Sequence, residues 1–283
     1  TYREFKKLDP AKADVKDVRE LLLESGCGAF INQRPYDIVA DPKDTPKAIF
    51  ISAVTTAPLA ADKGFIIKDK IAAFQAGIDA LRKLTPGKVH LSVDDSSAEY
   101  LKGIQGVELH HVKGVHPAGN VGVQIHKLDP INRGERVWTV GVEDVAIIGN
   151  VFLTGEYRAE RTVAVVGSEA ENRKYYQTII GSNVTDLIGQ VAEGTRIISG
   201  DVFTGTQLSN NQYLGFFENT ILSQSICDAL ITFCGVDPVL TDQMNVARNC
   251  SGLIIPGVGA FQHGMRRLVE KDLVDVIFQT ASE

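Results

Sequence analysis

No apolar stretch in the 283-residue chain approaches the roughly 18–20 residues a helix needs to cross a bilayer. The cysteines are few, Cys27, Cys227, Cys234 and Cys250. They form no C-x-x-C pair, and their spacing fits no common zinc or iron–sulfur pattern, so they read as reduced, mostly buried thiols. A dinucleotide fingerprint, G-x-G-x-x-G directly after a strand, is missing. Its nearest approximations, Gly119-Asn120-Val121-Gly122 and Gly26-Cys27-Gly28, lack the third glycine and a following long helix. There is no Walker A pattern and no nucleophile elbow. The net charge of −6 argues against nucleic-acid binding through bulk charge.

What remains is an ordinary globular composition, 44% hydrophobic and 23% charged, long enough for two domains. Asp14 is placed to cap a helix that carries Val18, Leu21 and Leu22 and stops at Gly26. Asn32 to Tyr36 reads as a turn. Ala48 to Val54 is a short apolar run of the kind found in buried parallel strands. Asp69 to Leu84 is an amphipathic helix with Ile71, Phe74, Ile78 and Leu81 on one face. Strands at Val89–Val93 and Val107–Val112 flank a short helix at 98–104. This rhythm predicts a doubly wound, Rossmann-like α/β sheet with helices on both faces. After a strand at 137–141 and a helix at 142–154, a second domain starts near Arg158. Strands near 162–166, 175–180 and 196–200, with a short helix at Thr185–Ile188, suggest a small α+β module of β-grasp type.

His116 to Pro130 holds two each of His, Gly and Pro. It reads as an irregular loop at a strand end, packed under a neighbouring domain or facing a ligand. Ligands of open α/β sheets bind outside the carboxyl ends of the strands, which makes Thr55, Thr56, Pro58 and Asp62 positional candidates, with a plain strand-to-loop connection as the other reading. Asp94-Asp95 also follows a strand end and reads as a solvated acidic turn or a hydroxyl or cation contact. His110 and His111 are adjacent, so on a strand they face opposite ways. His116 and His126 can meet only if the loop folds back, and a metal there needs a further donor such as Asp129. Hydrogen-bonded loop histidines are the simpler reading, so neither a metal site nor a catalytic residue is assigned.

Several ordered segments carry a family resemblance. Gln33-Arg34-Pro35-Tyr36-Asp37, Pro46 to Ala53, Ala57 to Asp62, Phe74-Gln75-Ala76-Gly77, His116-Pro117-Ala118-Gly119 to Ile125-His126, Ile197 to Gly200 and Leu214-Gly215 resemble the NqrA family, one of the subunits of the Na+-translocating NADH:quinone reductases. The resemblance covers roughly residues 1–220. It implies an α/β domain similar to the flavoprotein subunit of complex I at 1–157, a β-grasp domain of the soluble-ligand-binding (SLBB) type at 158–208, and a C-terminal region at 209–283 of uncertain assignment. It implies a peripheral subunit on the cytoplasmic face of the bacterial inner membrane, held there by the other subunits of an oxidoreductase that couples electron transport from NADH to ubiquinone to sodium export. No tightly bound cofactor is expected on this subunit. NAD and flavin belong to other subunits, and ubiquinone is the one ligand the resemblance leaves open to it; its candidate contacts here are Thr55, Pro58, His116, Gly119, Gly122 and His126. The chain opens on Thr1 rather than Met and reads as part of a longer protein without the family's N-terminal domain. Leu253 to Phe261 resembles the strand-and-turn segment of a class I glutamine amidotransferase. The competing readings are a stand-alone flavin- or NADH-binding redox protein and a small-ligand module that uses the β-grasp domain alone.

Overall fold

Two sheets share residues 3–189, 195–208 and 213–224, the part of the chain that the computed structural model describes. The first domain runs α1 (Val15–Ser25), a 3-10 turn (Cys27–Phe30), β1 (Ile31–Arg34), β2 (Ile38–Val39), β3 (Ile49–Ala53), α2 (Lys63–Ile67), α3 (Ile71–Arg82), β4 (Val89–Val93), α4 (Asp95–Leu101), β5 (Glu108–His111), α5 (Val121–Leu128), β6 (Val137–Val140) and α6 (Val142–Thr154). The second runs β7 (Glu160–Val166), β8 (Lys174–Ile179), α7 (Thr185–Ile188), β9 (Arg196–Ser199), β10 (Thr206–Leu208) and β11 (Thr220–Gln224). Among the described residues no helix is long and apolar enough to cross a membrane.

The first sheet has the order β2-β1-β6-β3-β4-β5. β6, β3, β4 and β5 are parallel, and β1 and β2 add an antiparallel edge. The chain steps from β3 outward to β5, then returns to lay β6 on the other side of β3, so the direction of winding switches between β3 and β6. Ile49, Ile51 and Ala53 of β3 join the larger core with residues of α3 and α6, while Phe50 packs with Ile125 of α5 and Val137. Alternate strand residues thus serve helices on opposite faces. Gly77 on α3 and Gly149 on α6 let those two helices touch backbone to backbone: a Cβ on Gly77 would overlap the Val145 carbonyl, and one on Gly149 the Ala73 carbonyl.

The expected irregular loop at 116–130 holds a helix instead, α5. Val121, Gln124 and Ile125 recur at helical spacing, and the last two are buried. Glycine and proline restrain only the flanks, and burial of that face decides the rest. The turn read at 32–36 is the tip of a β1–β2 ladder in which Asn32 pairs with Val39 and Gln33 with Ile38.

The second sheet has the order β10-β9-β11-β7-β8. A β7–β8 hairpin, a crossing helix and a last strand parallel to the first make it a β-grasp sheet. β11 fills the centre, between β7 and β9, and lies beyond residue 208. Val163, Val165, Val184, Ile188, Ile197 and Ile221 form its core. Residues 253–261 and the cysteines other than Cys27 lie outside the described residues. Cys27 is buried, and burial pushes its thiol up to about 11.

Candidate functional site

Open α/β sheets offer ligands the crevice at the switch point, outside the carboxyl ends of the strands. Here that crevice receives side chains from the second sheet. Arg161 of β7, 1% exposed, donates through Nη2 to Asp144 Oδ1 at 2.7 Å and to the Phe216 carbonyl at 2.8 Å. Its Nη1 lies 3.7 Å from Glu143 Oε2. Glu143 also accepts from Lys70, from the Thr162 N–H at 2.9 Å and from Asn219 Nδ2 at 2.6 Å. Phe216 stacks on Phe30 at 4.8 Å. Burial raises the Asp144 carboxyl above the ordinary range, and the adjacent guanidinium only partly offsets it. A helix N-terminus ordinarily favours an incoming anion. The start of α6 instead carries two buried acids, already occupied by protein cations.

The carboxyl end of β3 is joined to the second sheet as well. The Ala61 N–H donates to Thr220 Oγ1 and the Asp62 N–H to Tyr175 Oη, each at 2.9 Å. Lys63 donates from Nζ to the carbonyls of Ser52 at 3.0 Å and Val54 at 3.1 Å. Burial pulls it down to about 8, against the attraction of Asp94 and Asp201. Glu218 is pushed up to about 7 by burial and then by Asp201, against the pull of Arg161.

Of the six sequence candidates, Thr55, His116 and Gly119 meet around the β3 carboxyl end. The Thr55 N–H donates to Asp94 Oδ2 at 2.8 Å. Thr56 Oγ1 accepts from the Gly119 N–H at 2.9 Å and lies 3.3 Å from His116 Nδ1. A Cβ on Gly119 would sit 2.5 Å from that same oxygen, so only glycine fits. His116 stacks on Phe203 of the second domain at 4.5 Å. Pro58 occupies the adjacent turn. Gly122 and His126 do not join this group: both are solvent-exposed on α5. The fold-back of His126 toward His116 is therefore not made, and Asp129 pairs with Lys47 at 2.6 Å. Asp62 and Asp94 act as helix caps, Asp62 for α2 and Asp94 for α4. Burial would raise the Asp94 carboxyl, but N–H donors from Thr55 and Ser97 and the serine hydroxyls outweigh it and hold it below the ordinary range.

Two features were not read from the sequence. A cavity of about 290 Å³ opens between α1, the 3-10 turn and β1–β2, lined by Leu22, Leu23, Ala29, Ile31, Val39 and Trp138 with Arg19 beside it. It was missed because its walls come from both sides of the turn at 35–37. The second is a group of His90, Glu108 and His110 on β4 and β5. Burial, then the neighbouring imidazole, lowers the pKa of His90; burial also lowers that of His110, against the pull of Glu108. A Glu-x-His pattern on one strand beside a His on the preceding strand was the signal that could have found it.

A Rossmann-like parallel sheet joined through buried ion pairs to a β-grasp sheet defines the class: a two-domain α/β and β-grasp unit whose switch-point crevice is filled from within the chain. Crystal structures of an NAD+-reducing [NiFe]-hydrogenase share this fold. The H2-reduced form matches with a TM-score of 0.52 and 13% identity over 76% of this chain and 48% of that one, and the air-oxidised form with 0.51 and 12% over 76% and 49%. The chain belongs to the NqrA family: the family's second alpha/beta domain matches residues 13–157 and its C-terminal domain, of SLBB type, residues 162–210. Its relatives include proteins named as the NqrA component of the Na(+)-translocating NADH-quinone reductase. That of Saccharophagus degradans is 37% identical over 78% of this chain and 50% of its own length. That of Cellvibrio japonicus is 37% identical over the same shares, and that of Yersinia pestis 38% over 73% and 47%. The chain spans about half the length of the curated relatives it matches.

Proposed function

We propose that this chain is the α/β and β-grasp part of the NqrA subunit of a Na+-translocating NADH:quinone reductase, where it serves assembly and quinone contact rather than hydride or electron transfer of its own. Its partners are the other subunits of that complex, its place is the cytoplasmic face of the bacterial inner membrane, and NAD and flavin act on other subunits. The division into 1–157, 158–208 and 209–283 belongs to the same reading, with β11 lent to the middle domain. The observation that carries it is the Arg161–Asp144 pair in the switch-point crevice. A fold that elsewhere opens this crevice to a ligand uses it here to join two domains.

Quinone contact is the finer part of the proposal, and the apolar cavity suits it better than the seam of Thr55, Pro58, His116 and Gly119. The cavity presents aliphatic walls and the single tryptophan, the setting an uncharged ring prefers. At the seam, Thr56 and Phe203 already engage His116. Titration of a short-chain ubiquinone, read by Trp138 fluorescence and by calorimetry, tests it. Leu23 is 57% exposed at the cavity mouth, so Leu23→Glu leaves the core intact and is expected to abolish saturable binding. Loss in His116→Ala with Leu23→Glu unaffected would put the quinone at the seam. Absence of binding to folded protein removes the quinone part and leaves assembly, which co-purification with the partner subunits measures separately.

A further inference from the structure

On the face of the first sheet opposite α3 and α6, β4 and β5 bring three metal-ligating side chains together. Their parallel register sets His90 opposite Glu108 and Ser92 opposite His110. Positions two apart on a strand share a face, so His110 stands beside Glu108 and diagonal to His90. His90 Nδ1 and His110 Nε2 lie 2.9 Å apart, and Glu108 Oε2 is 4.0 Å from His90 Nδ1. One ligand atom from each residue falls within 4.8 Å of the other two. Among the described residues this is the only such group. We propose that His90, His110 and Glu108 form a binding site for a divalent transition-metal ion, Zn2+ by best fit, with the remaining coordination position open to solvent.

The geometry is close to what such an ion requires. Tetrahedral coordination with bonds of about 2.0–2.1 Å sets neighbouring donors roughly 3.3 Å apart. The imidazole pair needs to open slightly and the carboxylate to close slightly. His90 is 3% exposed and stacked on Phe50 at 4.5 Å, so one ligand is already fixed in place. Glu108, its side chain 42% exposed, is free to adjust. Two imidazoles and one carboxylate suit zinc and related transition ions, whereas Mg2+ and Ca2+ take oxygen donors. Lys88 Nζ, 2.7 Å from Glu108 Oε2, competes for the carboxylate, but its side chain is 69% exposed and holds an exposed pair of the weak kind. A bound ion would tie β5, an edge strand, to β4, and would leave the edge facing solvent with an exchangeable ligand.

The untagged 283-residue chain, freed of metal by a chelator, is titrated with Zn2+ by calorimetry and then with Co2+ by visible absorption. Expected are uptake of one equivalent of Zn2+ and the visible bands of Co2+ held by imidazole nitrogen in a low-coordinate site. His110→Asn and Glu108→Gln, both near the sheet edge, each weaken uptake by at least about tenfold and remove the Co2+ bands. His126→Ala leaves both unchanged. Lys88→Met tightens uptake by freeing the carboxylate. No saturable one-equivalent uptake below millimolar Zn2+, or uptake that persists unchanged in His110→Asn and Glu108→Gln, overturns the proposal.

Discussion

Arg161 Nη2 stands 2.7 Å from Asp144 Oδ1 with both side chains almost wholly shielded from water, and it ties β7 of the second sheet to the first turn of α6. Glu143 stands beside Asp144, so the guanidinium faces two acids, while Lys70 neutralises Glu143 from α3's leading residue. The junction is thus an ion cluster rather than an apolar seam.

Removing one member of such a cluster strands the others. Arg161→Met leaves Asp144 buried without its cation, and loss of a partner in a buried pair costs about 3–5 kcal/mol. Urea unfolding of the chain is expected to show a loss of that size. Adding Asp144→Asn to Arg161→Met should recover part of it, because the stranded charge goes. A double variant no more stable than Arg161→Met alone would show that the pair is not coupled.

The α3–α6 contact depends on the absence of a side chain at two positions. Gly149→Ala drives a methyl into the Ala73 carbonyl, which is backbone and does not swing aside; a loss of roughly 2–3 kcal/mol is expected. Gly122, helical and with nothing within 4 Å of an added Cβ, gives the opposite sign. Gly122→Ala should stabilise by up to about 1 kcal/mol and leave ubiquinone titrations unchanged. Thermal unfolding of the two variants side by side measures both signs.

Glu218 makes stability fall as pH rises. Its folded pKa of about 7 exceeds the ordinary 4.5. Between those values the folded chain keeps a proton that the unfolded chain has released, so stability is lost as pH rises through that window and stays lost above it. The shift corresponds to about 3 kcal/mol at most. Glu218→Gln should flatten the profile of stability against pH from about 4.5 to about 7 and raise stability at pH 8. Parallel profiles for the two proteins would sink this reading.

Much of the fold was legible because it is written in local patterns. The Asp14 cap and Gly26 stop bound α1, the apolar run at 48–54 became β3, and helix α7 falls at Thr185–Ile188 as expected. What failed were elements whose formation depends on a distant partner. β11 is short, and its place between β7 and β9 is settled by pairing, not by pattern. α5 was hidden by the glycines and prolines at its flanks. In the site, the strand-end rule led to Thr55, His116 and Gly119. It said nothing of Lys63, Glu218 or Arg161, whose neighbours come from segments far away in the chain.

By itself the sequence determined the alternation of strand and helix, the capping residues and the family, since each rests on residues close together or on ordered motifs. Tertiary structure alone decided that Arg161 fills the switch-point crevice, which requires the two sheets to dock. It alone decided that His90 meets Glu108 and His110, because the β4–β5 register brings together side chains that the chain keeps apart.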